Sequence, residues 1–218
     1  MSGPTDAPAM GRILHHFTGA VLFEVKLTKA AAAMSASRQM GWLVQKAVKS
    51  GAILNGAILN GAILDGAILN GASLNGASLY RAILNGASLN GAILNGAILN
   101  GAILNGASLN GASLYRASLD GAILNGAILN GAILNGASLN GAKGVIDGGS
   151  RADGYRFVGW IKGGVLMIRA GCRDFTIAEA REHWTRTRGG TPLGAETTAI
   201  LDHIEAVARI RGMVGAAQ

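Results

Sequence analysis

The sequence predicts a mainly β solenoid, a coil of short straight segments, and two observations predict it. Eighteen consecutive five-residue units of the form Gly-Ala-(Ile/Ser)-Leu-Asn occupy residues 51–140. On an α-helix each unit advances about 500°, so no apolar stripe forms, and a Gly in every unit costs about 1 kcal/mol relative to Ala. In a flat strand, an odd period moves the Ala and Leu pair to the opposite face in every second unit. A bend in each unit removes this conflict.

Bends near the Asn-Gly pairs wind the chain into a coil whose turns stack about 4.8 Å apart, with Ala and Leu pointing inward. We expect the Asn side chains to form amide ladders between turns. The Gly position holds Arg81 and Arg116 in two units, so we expect that the corner does not require a positive φ. The Asn position departs from the pattern at Asp65, Tyr80, Tyr115 and Asp120.

Unbroken tandem Ala-x-Leu-x-x units resemble the pentapeptide-repeat proteins over residues 51–142. The resemblance implies a right-handed quadrilateral β-helix with four units per turn, which gives about 4.5 coils. One departure is that eleven of the eighteen positions between Ala and Leu hold Ile, where the family usually has a polar residue. The flanks, with segments such as FTGAVLFE and GYRFVGW, resemble those of pentapeptide-repeat proteins from bacteriophages, prophages and their bacterial hosts.

The region before the repeats divides into a tail and a cap. Residues 1–17 predict a flexible tail, because Gly and Pro are frequent and few side chains could be buried. Residues 18–50 predict a strand over 18–27, with alternating apolar residues, and an amphipathic helix over 29–49 with Thr28 as N-cap. We expect this N-terminal cap to cover the open first turn of the coil.

The region after the repeats, residues 143–218, predicts a small ββαα domain. We expect it to have a core of its own that contains Trp160 and Trp184. Thr176 and Glu179 form a capping box that opens a helix. The predicted segments are a closing stretch at 143–149, strands at 155–161 and 165–170 around a Lys-Gly-Gly turn, and helices at 176–186 and from 194 or 195 to 211.

The net charge of +7 lies in the flanks and not in the repeats. Residues 1–50 carry six Lys or Arg against two Asp or Glu, the repeats two against two, and residues 143–218 eleven against eight. Some pentapeptide-repeat proteins mimic duplex DNA and bind type II topoisomerases, but Asp65 and Asp120 are too few carboxylates for that alternative. Nucleic-acid binding is also disfavoured, because such flank charges are typical of solvated surfaces. An ice-binding flat face is a weaker alternative, since the repeats contain no Thr.

Four units per turn place one unbroken apolar column on the outside of the coil, whereas the other three faces mix Ile with Ser. An exposed β-branched ladder on an uncharged surface is typical of an interface, so we predict side-by-side self-association. Repeat slippage alone could also have produced the column. Its residues are Ile63, Ile83, Ile103 and Ile123.

Two Tyr-Arg pairs are the other candidate surface contacts. Tyr80–Arg81 recurs as Tyr115–Arg116 after 35 residues, or seven units, which places the pairs on neighbouring faces. They could stack on a partner's ring. The alternative is that slippage copied surface residues without a binding role.

The sequence shows no pattern of a catalytic, metal or cofactor site. Cys172, Asp174 and His183 are the one grouping that suggests a nucleophile, but no oxyanion motif accompanies them, so we expect Cys172 to be a buried structural residue. His15 and His16 have no further ligand at metal-binding spacing.

Three further patterns bear on compartment: a polar start, a single cysteine, and no apolar stretch of membrane-spanning length. They predict the bacterial cytoplasm, with virion association as a further option. We therefore expect a non-enzymatic structural or protein-interaction module of phage or prophage type, whose partner is another protein or a second copy of itself. We expect no cofactor, membrane or small-molecule substrate.

Overall fold

The structure is a computed structural model that describes residues 9–171 and 173–214. A stack of repeat turns forms its centre, and regular strands and helices flank the stack on both sides. The flanking elements are β1 (Met10–Leu14), β2 (Val21–Lys26), α1 (Lys29–Ala32), α2 (Ala36–Lys49), β3 (Val145–Ser150), β4 (Arg156–Lys162), β5 (Val165–Ala170), β6 (Arg173–Thr176), α3 (Ile177–Arg188) and α4 (Pro192–Ile210).

The turns of the repeat region stack in register. Parallel β-bridges join third-position residues four units apart, from Ile58 with Ser78 at one end to Ile123 with Lys143 at the other. The Ala and Leu side chains point inward, and between Leu54 and Ala142 none is more than 7% exposed. The predicted β-helix-like coil with an Ala and Leu core is confirmed.

Each corner of the coil is a tight turn that contains a left-handed residue. The Ala N–H donates to the Leu carbonyl three residues earlier, as from Ala77 to Leu74 at 3.1 Å. The corner glycines have φ between 61° and 77°, which is the conformation that a type II turn requires at its third residue. Arg81 and Arg116 adopt it too, with φ of 53° and 54°. The expectation that the corner does not require a positive φ is wrong; Arg occurs there at a cost of about 1 kcal/mol.

The N-terminal cap consists of an antiparallel β1–β2 hairpin followed by α1 and α2. Helix α2 packs Leu43, Val44 and Ala47 into the core of the coil, as its amphipathic pattern predicts. The structure differs from the predicted tail over residues 1–17, because β1 lies within it and buries Gly11 and Ile13. The predicted single helix is also interrupted between α1 and α2.

The C-terminal region contains four strands and two helices, so the predicted ββαα order is incomplete. The strands form one antiparallel sheet in the order β3-β4-β5-β6. The β4–β5 hairpin and the Thr176–Glu179 capping box are where the sequence places them. Helix α4 begins at Pro192, with Thr191 as its N-cap, slightly before the predicted start.

The C-terminal sheet packs against different partners on its two faces. Val145, Val158 and Trp160 join the core of the coil. Phe157 and Trp184 belong to a second core that includes residues of α3 and α4. The prediction that Trp160 and Trp184 share a core is wrong, because the sheet both closes the end of the coil and supports the helices.

Candidate functional site

The predicted apolar column forms a continuous ladder along one side of the coil. Ile63 bridges Ile83, Ile83 bridges Ile103, and Ile103 bridges Ile123. The column ends at Lys143, which bridges Ile123 and is exposed. We call the outward side chains of these four isoleucines the Ile wall.

The Ile wall is better shielded than the isoleucines on the mixed faces. All four of its residues are half-buried. By contrast, Ile53 and Ile68 are 62% and 69% exposed, and Ile133 is 47% exposed. Stacked Ile side chains cover one another, whereas an Ile beside Ser has less apolar surface to contact.

Four corner Asn side chains bind the backbone of the next turn, at positions 55, 60, 70 and 90. The Oδ1 atoms of five others are buried without a partner among the described residues, at positions 75, 85, 100, 105 and 110. Asn70 Oδ1 accepts hydrogen bonds from the Asn90 N–H at 2.9 Å and from Ser88 Oγ at 2.7 Å. Among the described residues no bond joins two Asn side-chain amides, so the predicted amide ladders are wrong. Asp65 and Asp120 also accept from the backbone N–H one turn on, both at 3.0 Å. Asp substitutes for Asn there because the bond needs only an acceptor oxygen.

The two Tyr-Arg pairs have the same local geometry but border different faces. Each Arg guanidinium lies 5.0 Å from the centroid of the preceding Tyr ring. Tyr80 and Tyr115 are 41% and 42% exposed. Tyr80–Arg81 leads directly into the unit of Ile83, at the border of the Ile wall, whereas Tyr115–Arg116 leads into the unit of Ser118. The chain therefore contains a matched pair of surface features, one of which borders the wall.

The N-terminal cap supplies backbone partners to the first turn on two faces. Ile58 N–H donates to the Leu14 carbonyl at 2.9 Å, and Ile63 N–H donates to the Ser37 carbonyl at 3.0 Å. Gly41 lets α2 approach the coil closely, because a Cβ at this position would lie 1.8 Å from the Ile63 carbonyl oxygen.

An ion pair closes part of the last turn at the C-terminal end. Arg169 donates to the Ala132 carbonyl at 2.8 Å and to Asp174 Oδ1 at 2.6 Å. Asp174 in turn accepts from the Gly131 N–H at 3.2 Å. Within the coil these backbone groups are bound by the following turn, so the pair replaces a turn that is absent. Sequence reasoning missed Arg169, because nothing in its local pattern distinguishes it from a solvent-facing Arg of a strand.

Among the described residues, those considered for chemistry form no catalytic arrangement. Cys172 lies outside the described residues. Asp174 and His183 line one surface pocket of about 360 Å³, but Asp174 is bound to Arg169 and Gly131. His15 accepts from the N–H groups of Phe17 and Thr18, and the described residues contain no cluster of three or more metal-ligating side chains.

In the C-terminal region, His183 and Asp153 have pKa values below their ordinary values. The pKa of His183 lies below its ordinary value, first because of burial and then because Arg173 and Arg186 repel a second positive charge. The Arg151 guanidinium donates two hydrogen bonds to Asp153 and lowers the pKa of that carboxyl. None of the helices in the described ranges is long and apolar enough to cross a membrane.

Comparisons with known proteins match the repeat region. Residues 50–79, 72–111, 82–121 and 112–143 match the family model for pentapeptide repeats, in eight copies. A search of curated proteins finds no match.

Among solved structures, the pentapeptide repeat protein Rfr23 from the cyanobacterium Cyanothece 51142 is 39% identical, with a TM-score of 0.40; the match covers 41% of this chain and 60% of that one. A pentapeptide repeat protein from the Arabidopsis thaliana thylakoid lumen is 31% identical, with a TM-score of 0.35; the match covers 41% of this chain and 59% of that one. QnrB1, a plasmid-mediated fluoroquinolone resistance protein, is 19% identical, with a TM-score of 0.30; the match covers 42% of this chain and 62% of that one. The chain spans less than two thirds of the length of each of these structures.

Proposed function

Residues 50–143 belong to the pentapeptide-repeat family, and we propose that the chain is a non-enzymatic structural and protein-interaction module that associates side by side through the Ile wall. The observation that carries the proposal is the unbroken Ile ladder from Ile63 to Ile123. On each of the other faces Ser interrupts the Ile series. Two copies can therefore bring apolar side chains together along this face from Ile83 to Ile123, whereas Ser interrupts the apolar series on every other face.

The interface is expected to be weak. A stable protein interface buries about 800 Å² on each partner. The four wall residues are half-buried already, and Ile63 lies under α2, so the wall offers much less apolar area than that. Because association also costs translational and rotational freedom, we expect a dimer that forms at high protein concentration and dissociates on dilution.

Sedimentation of a variant in which Ser replaces all four wall residues tests the proposal. Ser already occupies seven third positions, and six of these hydroxyls donate to the corner side chain of the preceding turn. Ser at 103 and 123 would meet Asn85 and Asn105, whose Oδ1 atoms are buried without a partner among the described residues. The variant should therefore keep the fold and sediment as a monomer.

The matched control replaces Ile53, Ile93 and Ile133 by Ser, on a mixed face where these residues are 62%, 40% and 47% exposed. If association followed exposed apolar surface in general, this control would dissociate at least as readily as the wall variant. The proposal requires that it sediments like the wild type. A wild type that stays monomeric at high concentration would overturn the proposal.

The two Tyr-Arg pairs offer a finer test at the border of the wall. Tyr80→Asn restores the usual corner residue next to the wall, and Tyr115→Asn makes the same change at a corner that does not border it. A contact of an aromatic ring at the rim contributes about 0.5–1 kcal/mol, so we expect Tyr80→Asn to weaken dimerisation about threefold. Tyr115→Asn should leave the dissociation constant unchanged, and equal effects of both would contradict a role for the Tyr80 corner.

We extend the proposal to phage or prophage association in the bacterial cytoplasm, which rests on the resemblance of the flanks alone. The test is whether the chain co-purifies with virions produced by its bacterial host. We do not propose the DNA-mimic alternative, because Asp65 and Asp120 lie on different corners and accept backbone hydrogen bonds. A supercoiling assay at stoichiometric protein should show no inhibition of a type II topoisomerase.

A further inference from the structure

The first turn of the coil has unpaired backbone groups of a kind that pair with the preceding turn in the middle of the coil. Inside the coil, a third-position residue uses both of its backbone groups. The Ile83 N–H donates to the Ala62 carbonyl at 2.9 Å, and the Ile83 carbonyl accepts from the Leu64 N–H at 2.7 Å. The first turn has no preceding turn, so its third-position residues depend on the N-terminal cap for such partners.

The cap leaves Ile68 without such partners. Leu14 and Ser37 accept from the N–H groups of Ile58 and Ile63. The N–H and carbonyl of Ile68 have no hydrogen-bond partner among the described residues, and its side chain is 69% exposed. Ile68 therefore presents a donor and an acceptor side by side, which is the pattern by which one extended strand binds another.

A groove runs along this open edge. It has a volume of about 500 Å³ and lies between α2 and the first turn. Trp42, Val48 and Ile68 give it an apolar lining, and Lys46 and Lys49 lie on one side of it. Both lysines are exposed and, within the described ranges, neither forms a salt bridge. The groove is lined by two positive charges and no carboxylate.

We propose that this edge binds an extended acidic segment of a partner protein by strand addition. The partner's backbone bonds to the N–H and carbonyl of Ile68, an apolar side chain enters the groove beside Trp42, and a carboxylate pairs with Lys46 or Lys49. Main-chain bonds supply part of the affinity in such complexes, and alternate side chains supply the specificity. The site is separate from the Ile wall, so it acts whether or not the chain dimerises.

Peptide capture on the immobilised full chain tests this proposal. The probe is a pool of short acetylated peptides with Val, Ile or Thr at alternate positions and Glu or Asp between them. A second pool carries Lys or Arg in place of the acidic residues, and a third is the acidic pool with N-methylated backbone. The wild type should retain the acidic pool and neither of the other two.

Three variants locate the binding. Ile68→Glu removes the apolar contact and places a carboxylate that repels the acidic peptide, and it should reduce capture at least about tenfold. Ile128→Glu is the matched control, since Ile128 lies on the same face but its backbone is bonded to Ala107 and Leu109; it should bind like the wild type. Lys46→Glu combined with Lys49→Glu should transfer binding to the basic pool.

Equal capture by the wild type and Ile68→Glu, or equal capture of the N-methylated pool, would overturn the proposal. So would a wild-type dimer that Ile68→Glu abolishes in the absence of peptide binding, because the occupant would then be a second copy. Sedimentation of Ile68→Glu at high concentration separates this site from the Ile wall: side-by-side association should be unchanged even where peptide capture is lost.

Discussion

The two ends of the repeat coil are closed by different kinds of groups. At the N-terminal end, carbonyls of Leu14 and Ser37 accept from the first turn, so backbone binds backbone. At the C-terminal end, the side chains of Arg169 and Asp174 bind the carbonyl of Ala132 and the N–H of Gly131. The repeats themselves are nearly uniform, so the difference comes from the flanks.

This difference shows where the stability and the binding potential of the coil lie. A buried ion pair is sensitive to the loss of either partner, because the remaining charge has lost its counter-ion. A backbone cap is sensitive to how closely the helix approaches the coil. It also covers the first turn incompletely, and Ile68 remains exposed there. We therefore expect the C-terminal end to be the more fragile and the N-terminal end to be the more available to partners.

The largest expected effect is at the C-terminal end. The Arg169 side chain is 4% exposed, and Arg169→Met leaves Asp174 and the Ala132 carbonyl without their donor. Breaking a fully buried pair typically lowers the free energy of unfolding by about 3–5 kcal/mol; because the Asp174 side chain is 22% exposed and keeps the Gly131 N–H, we expect a loss at the lower end of that range. Urea denaturation measures the change. As a control, Arg209→Met removes an ion pair to Glu205 whose Arg is 52% exposed, and it should cost no more than about 0.5 kcal/mol. Equal effects would refute the closing role of Arg169.

The second effect is at the N-terminal end and depends on Gly41. On an isolated helix, Gly→Ala stabilises by about 1 kcal/mol. Here the added Cβ would lie 1.8 Å from the Ile63 carbonyl oxygen, so α2 must move away from the coil. We expect Gly41→Ala to destabilise the protein by about 1–3 kcal/mol, as overpacking does. Gln45→Ala, at an exposed position of the same helix, should be neutral or stabilising, and thermal unfolding of both variants decides the sign.

A smaller effect is expected at the corners, which are alike along the whole coil. Gly96 has a φ of 64° and open space where a Cβ would lie, so Gly96→Ala reports the backbone conformation alone. We expect a loss of about 1 kcal/mol in the free energy of unfolding. Arg81→Gly makes the opposite change and should not destabilise by that amount. If Gly96→Ala is neutral in urea denaturation, the corner does not demand a left-handed residue.

The smallest effect concerns pH and belongs to the C-terminal region. The pKa of His183 is lowered in the folded chain, so the unfolded chain binds the proton more readily. This contribution to stability is complete above the unfolded-state pKa of about 6.5 and is lost as the pH falls through that value. His183→Gln should flatten the decline in unfolding free energy between neutral and mildly acidic pH. A decline that persists unchanged in His183→Gln would assign it to other groups.

The coil was predictable from sequence because its period carries the information. Five-residue spacing requires a bend in each unit, and the inward Ala and Leu follow from side-chain alternation. The positive φ of Arg81 does not follow from the sequence, because L residues occupy the left-handed region at a modest energetic cost and a substitution for Gly therefore does not exclude it. The right-handed sense and the quadrilateral section remain predictions from the family resemblance.

The ends were less predictable because their elements depend on contacts distant in sequence. β1 contains Gly11, and a Gly in this part of the sequence is typical of a flexible tail. In the structure Leu43 of α2 packs against it, which the local sequence does not indicate. β3 contains Gly148, and a Cβ there would lie 2.5 Å from Ile204, so a small residue is required by α4. The Ile wall could be found by counting units, whereas the Ile68 groove could not, since it depends on where α2 lies.

Methyl NMR of Ile-labelled protein over a range of concentrations tests association through the Ile wall. Each Ile δ1 methyl reports its own environment, and the mixed faces supply internal controls within the same sample. Association through the wall should give concentration-dependent shifts at Ile83, Ile103 and Ile123, and unchanged methyls at Ile93 and Ile133. Shifts at Ile93 and Ile133 that equal or exceed those of the wall, or no shifts at any concentration, would contradict it.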